Sequence, residues 1–146
     1  MKIVNTPIGN LCIVAKDGKI AGIFIEEDEP VLQQAAREIQ EYFAGTRTQF
    51  TVPIAPQGGE FHRRVWQTMT THPDVGFGKT ICYSDLGKLC GNDRAARAVG
   101  SANNHNPIPI IIPCHRVVGK GGDLTGFRWG MDVKRKLLEH ENNRSS

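Results

Sequence analysis

The chain has 146 residues, 39% hydrophobic, 23% charged and 7% aromatic, the composition of an ordinary globular protein of one domain or two small ones. No apolar run approaches the roughly 18 to 20 residues of a membrane helix, and the N-terminus MKIVNTPIGN lacks the apolar stretch of a secretory signal, so no membrane association and a cytoplasmic location are expected. The formal charge of +3 is unevenly distributed: residues 1–76 hold seven Lys or Arg against nine Asp or Glu, residues 77–146 eleven against six. A basic second half suits an anionic partner, although a solvated surface has the same composition.

In chain order, Ile3 and Val4, Leu11 to Ala15 and Ile20 to Ile25 read as strands, with Lys16-Asp17-Gly18 as the turn of a hairpin. Pro30 opens a helix in which Val31, Leu32, Ala35, Ile39, Tyr42 and Phe43 gather on one face before Gly45. The stretch from Thr46 to Glu60, with Pro53, Pro56, Gly58 and Gly59, has turn chemistry and is the expected linker, dividing a unit 1–56 from a unit 57–146. A second helix is expected over Phe61 to Thr71, with Phe61, Val65, Trp66 and Met69 on its apolar face, followed by a breaker-rich loop from His72 to Gly78. Ser84 is a candidate N-cap for a short helix through Leu86, Leu89 and Cys90. Gly91-Asn92 then turns the chain into a helix over Asp93 to Ala102. Two short helices about a glycine turn form a helix-turn-helix pattern, a pattern also common in helical cores. In the second, Ala95, Ala96, Ala98, Gly100 and Ala102 permit close approach to a DNA groove or equally to another helix, and Arg94 and Arg97 project together at i and i+3.

Of four cysteines, none forms a C-x-x-C pair. Cys12, Cys82 and Cys90 lie in apolar contexts and read as buried small hydrophobes. Cys114 differs. Asn106-Pro107 closes a polar turn with an Asx-type bond expected, the run Ile108-Pro109-Ile110-Ile111-Ile112-Pro113 reads as extended, and Cys114-His115-Arg116 follows it directly. A thiol reacts as thiolate, which neighbouring imidazole and guanidinium groups favour, so Cys114 is the best nucleophile in the chain. In extended backbone adjacent side chains point apart, so His115 reaches Cys114 only through a turn or a relaying water. Asp123, Asp132, Glu139 and Glu141 are the candidates to orient the imidazole.

The segments Pro113-Cys114-His115-Arg116-Val117, Asn106-Pro107-Ile108-Pro109 and Arg94-Ala95-Ala96-Arg97-Ala98-Val99-Gly100, with Gly126 through Trp129-Gly130, Lys134, Leu137, Leu138 and Glu141, resemble the O6-alkylguanine-DNA alkyltransferases over about residues 60 to 141. The resemblance implies an α+β protein: a small N-terminal β-sheet with one covering helix, ribonuclease H-like, then a mainly helical, winged-helix-like C-terminal domain with a helix-turn-helix. It implies direct-reversal repair of double-stranded DNA containing O6-alkylguanine, by a monomer without cofactor or metal, with O4-alkylthymine an open second substrate. Cys114 would take the alkyl group once and irreversibly, His115 would deprotonate it through water, and Glu141 would orient His115. Tyr83 would rotate the nucleotide out and donate to the base, Arg97 would fill the gap, and Asn106 would brace the turn. Arg94, Ala95, Ala96, Ser84 and Arg116 would complete the DNA face. Val117, Phe127, Arg128, Trp129, Gly130 and Pro109 would line the pocket, the carbonyls of Cys114 and Val117 meeting the guanine amino group.

The chain departs from that family in its long segment 72–80, in Phe127 where Tyr is common, in Asp93-Arg94 at a helix start often containing Pro, and in lacking the Cys and His set that holds zinc in some members. Two other functions compete: a non-repairing relative that only binds damaged guanine, which would lack the reactive cysteine, and an unrelated cysteine hydrolase using Cys114, His115 and Glu141.

Overall fold

A computed structural model describes residues 1–26, 29–92, 95–124 and 126–144. By contacts the chain forms two compact units, Met1–Arg37 and Glu38–Ser146.

The first unit contains a three-stranded antiparallel meander of β1 (Lys2–Thr6), β2 (Gly9–Lys16) and β3 (Lys19–Ile25). The β2–β3 turn is Asp17-Gly18, both residues at positive φ, as a two-residue hairpin matching the strand twist requires. Cys12, read as buried, is only half-buried in β2. Helix α1 (Pro30–Ala44) begins in this unit and ends in the next. Gly45, at φ +82°, stops it: the amides of Gly45 and Thr46 turn back to the carbonyls of Tyr42 and Glu41.

The second unit is mainly helical, with α2 (Glu60–Thr71), the strand pair β4 (Ile81–Cys82) and β5 (Val117–Val118), α3 (Tyr83–Leu89), α4 (Ala96–Asn104) and α5 (Met131–Arg144). Its core gathers Val65, Trp66, Met69, Leu86, Val99, Ala102, Ile112, Val117 and Leu137. The Trp66 indole donates to the Ala102 carbonyl at 2.8 Å, so α2 and α4 are fixed by a polar bond as well as by apolar packing.

Helices α3 and α4 form the helix-turn-helix. Gly87 makes its tight turn possible, because a Cβ there would lie 2.9 Å from the Asn92 carbonyl oxygen, whose own amide donates to Gly87. Three sequence expectations shift. The N-cap of α3 is Cys82, and Ser84 lies inside the first turn, its hydroxyl 3.3 Å from the half-buried Cys82 thiol. Helix α4 starts at Ala96 and runs through Asn103 and Asn104, which read as a turn. Asp93, the expected first residue of that helix, and Arg94 beside it lie outside the described residues.

The run before Cys114 is also not extended. Ile112 N–H reaches back to the Ile108 carbonyl at 2.9 Å, and Ile110 turns the chain with φ at 76°. A β-branched residue in that region is strained by about 1–3 kcal/mol, so the loop must be held from outside. Asn106 holds it: its Nδ2 donates to the Ile112 carbonyl at 2.9 Å and its Oδ1 accepts from Ile108 N–H at 2.9 Å.

Candidate active site

Residues 114–116 form a single 3₁₀ turn, so the chain does turn at the Cys-His-Arg triplet. The parallel pairing of Ile81 with Val117 and Cys82 with Val118 then sets that turn beside the start of α3, where Tyr83 sits. Cys114 is 1% exposed and His115 fully buried. Burial pushes the Cys114 thiol up, opposed by a hydrogen bond to Asn106 and by the Lys134 cation.

Of the four carboxylates open as partners, Glu141 meets His115. It projects from the α5 face that also buries Lys134 and Leu137, at helical spacings of three and four. His115 Nε2 lies 2.5 Å from Glu141 Oε2, which also accepts from the Tyr42 hydroxyl at 2.6 Å and Arg116 Nη2 at 3.2 Å. Glu141 Oε1 accepts from Arg116 Nε at 2.9 Å and from Gly78 N–H at 3.1 Å. Burial alone would raise the Glu141 carboxyl, but the His115 bond and the Arg116 bonds and charge hold it well below the usual carboxylate range. Burial lowers His115, against the pull of Glu141. An ionised carboxylate only accepts, so the proton of neutral His115 sits on Nε2 and Nδ1 is left basic. Nδ1 has no hydrogen-bond partner among the described residues, an orphan acceptor positioned to take a proton.

Arg116 corrects an expectation. Read as a DNA contact, it is 7% exposed, paired to Glu141, donating to the Val75 carbonyl at 2.7 Å and set over the Phe77 ring. Ala95 also turns inward, 5% exposed against the core, whereas Ala96, Arg97 and Ser84 are exposed. The loop from Gly126 carries buried Phe127 and exposed Arg128, Trp129 and Gly130. It crosses close to Tyr83, whose hydroxyl would lie 3.2 Å from a Cβ on Gly126. Pro109 is half-buried in the strained loop. The Cys114 carbonyl already accepts from Val117 N–H, and the Val117 carbonyl from Lys134 Nζ at 2.6 Å.

Lys134, Tyr42 and the Gly78 amide have no part in the site as read from sequence: Lys134 enters only among the residues of the resemblance and Tyr42 only on the apolar face of α1. Lys134 is fully buried, lowered by desolvation and raised by the charge of Cys114, so it lies where a thiolate would form. A lysine on the buried face of an amphipathic helix is the signal that could have found it.

A helix-turn-helix unit that carries an accessible arginine on its second helix, beside an internal thiol and a charge-paired imidazole, is the arrangement of a DNA-binding protein with a candidate cysteine nucleophile. The family described as 6-O-methylguanine DNA methyltransferase, DNA binding domain, matches residues 60–143, and that described as its ribonuclease-like domain matches residues 1–56. The chain belongs to the 6-O-methylguanine DNA methyltransferase family. It is 45% identical over 115 residues to a methylated-DNA–protein-cysteine methyltransferase of Methanosarcina acetivorans, covering 79% of this chain and 72% of that one. It is 36% identical over 153 residues to the constitutive enzyme of Bacillus subtilis, covering 93% and 91%. The crystal structure of Mycobacterium tuberculosis O6-methylguanine methyltransferase superposes with a TM-score of 0.72 at 36% identity, over 99% of this chain and 93% of that one. A structure of the Mycobacterium tuberculosis protein in complex with DNA gives 0.74 over 97% and 92%.

Proposed function

We propose that this protein repairs DNA directly, transferring a methyl or larger alkyl group from O6 of guanine in duplex DNA to Cys114, once per molecule. The observation that carries the assignment to Cys114 is the buried turn in which Glu141 fixes the proton of His115 on Nε2 and leaves Nδ1 open as a base. In the reaction the Cys114 proton passes to His115 Nδ1 through one water, and the sulfur attacks the alkyl carbon as the carbon–O6 bond breaks. The guanine leaves with its negative charge met by a donor, the role assigned to Tyr83. Lys134, within electrostatic reach of Cys114, favours the thiolate. The product is a thioether, which water has no easy route to reopen, so the protein is consumed.

The O6 atom lies inside the base stack, so the nucleotide must be extruded, at a cost of a few kcal/mol that is smaller for a poorly paired lesion. Arg97, exposed on α4, is assigned to the gap, with Ala96 and Ser84 on the same DNA face. Phe127, Arg128, Trp129 and Gly130 are assigned to the alkyl pocket. Residues 57–146 act as the DNA-binding and alkyl-acceptor domain and 1–56 as a structural α/β domain of a cytoplasmic monomer. No helix among the described residues is long and apolar enough to cross a membrane.

The deciding experiment incubates the protein with a duplex containing one O6-methylguanine and reads intact and peptide masses. One methyl gained on Cys114 and lost from the DNA is the expected result. Tight binding without transfer would identify a damage sensor, and repeated turnover of an ester or amide a hydrolase.

A further inference from the structure

Tyr42 lies outside the matched DNA-binding segment, yet its hydroxyl ends on the oxygen that serves His115. Its placement is over-determined. His140 Nε2 donates to the Tyr42 carbonyl at 2.7 Å while the next residue of α5, Glu141, accepts from the Tyr42 hydroxyl. The ring meets Phe77 edge-on, with centroids 6.0 Å apart, and Phe50 at 5.6 Å. One turn earlier on α1, buried Glu38 accepts from the amides of Thr51 and Val52 and from the Thr51 hydroxyl, at 2.7 to 3.1 Å. A fully buried phenol held by so many contacts has one orientation, and in it the hydroxyl and His115 share Glu141 Oε2.

We infer that Tyr42 is a positioning residue for alkyl transfer: its hydroxyl shares Glu141 Oε2 with His115 and so limits how strongly the carboxylate pulls on the His115 imidazole. The inference rests on the reading of His115 as the base for Cys114. A base that takes a proton at neutral pH must not be too strong, or it is already protonated and idle. Removing the Tyr42 donor concentrates the carboxylate charge on His115 and raises its affinity for a proton. The other groups facing the pair are Arg116 on the same turn, Lys134 on α5 and the Cys114 thiol, and none is altered by the change. His140 touches Tyr42 through the backbone carbonyl, a bond that Phe at 42 retains.

The test is Tyr42→Phe, with ¹⁵N-detected titration of the His115 imidazole in the free protein and the pH profile of single-turnover methyl transfer. Both should move upward together, by up to about one pH unit, so that transfer slows several-fold on the acid limb of the profile and little on its alkaline side. Phe50→Leu loosens the same ring without touching the hydroxyl, and should lower the melting temperature with no shift in titration. Should Tyr42→Phe fail to fold, 3-fluorotyrosine in a Tyr83→Phe background, where position 42 is the sole tyrosine, makes the phenol a stronger donor and should move the His115 titration downward. An unmoved titration in both Tyr42 replacements, or an equal shift in Phe50→Leu, overturns the inference. If wild-type protein accepts no methyl group, the repair reading fails separately, and the free-protein titration still decides the role of Tyr42.

Discussion

Glu141 is the most heavily hydrogen-bonded side chain of the site, receiving donors from Tyr42, Gly78, His115 and Arg116. Among the described residues Arg116 supplies its one permanently charged ion pair, so Arg116→Met leaves a buried anion without that counter-charge and removes a donor from the Val75 carbonyl. The expected loss is about 3–5 kcal/mol, read from urea denaturation. Acid should act through the same residues. Burial depresses His115 in the folded state, so its contribution is complete above the unfolded value near 6.5 and is lost as pH falls through that value toward the folded one. Glu141 is depressed as well, so its contribution is present above about 4.3 and is lost below it. Urea midpoints should therefore fall in two stages on acidification, and the stage between pH 7 and 5.5 should be missing in His115→Asn, which does not titrate.

Elements place these groups where sequence spacing could not. The two-residue pairing of β4 with β5 brings Tyr83 alongside the Cys114 turn although about thirty residues separate them, and α5 delivers Glu141 to the same turn from 26 residues beyond His115. The helix-turn-helix depends on Gly87. Gly87→Ala puts a methyl 2.9 Å from a backbone oxygen that cannot easily retreat, and should cost about 1–3 kcal/mol by thermal or urea denaturation. Arg97 tests the role of α4: Arg97→Ala should slow repair of duplex DNA by much more than reaction with free O6-methylguanine base, measured side by side. Equal losses would remove Arg97 from the gap. The turn and the strand pattern of the first unit were legible because hairpins and amphipathic faces are written in local periodicity. The helix start at Ala96 was not, since a run of small residues fits several registers equally well.

Across the whole molecule, the positive excess of residues 77–146 is redistributed by folding. Arg116 and Lys134 are buried and serve the site, so in the proposed function the phosphates are left to cations that stay exposed, Arg97 among them. Affinity for duplex DNA should still fall steeply and linearly in log–log form as salt rises, because phosphate contacts release counterions. A flat response, measured by fluorescence anisotropy between about 50 and 200 mM salt, would separate binding from charge. Sequence by itself determined the three strands of the first unit, most helices, the singular Cys-His-Arg context of Cys114 among four cysteines and the family resemblance, because each is carried by residues close together in the chain. The resemblance already implied Glu141 as the partner of His115 and Asn106 as the brace of the turn; tertiary structure alone decided that Arg116 faces inward, that the loop Asn106 holds is strained, and that Tyr42 and Lys134 belong to the site. Those facts depend on contacts between residues up to ninety-nine positions apart, and no local pattern encodes which distant side chain will close a buried hydrogen bond.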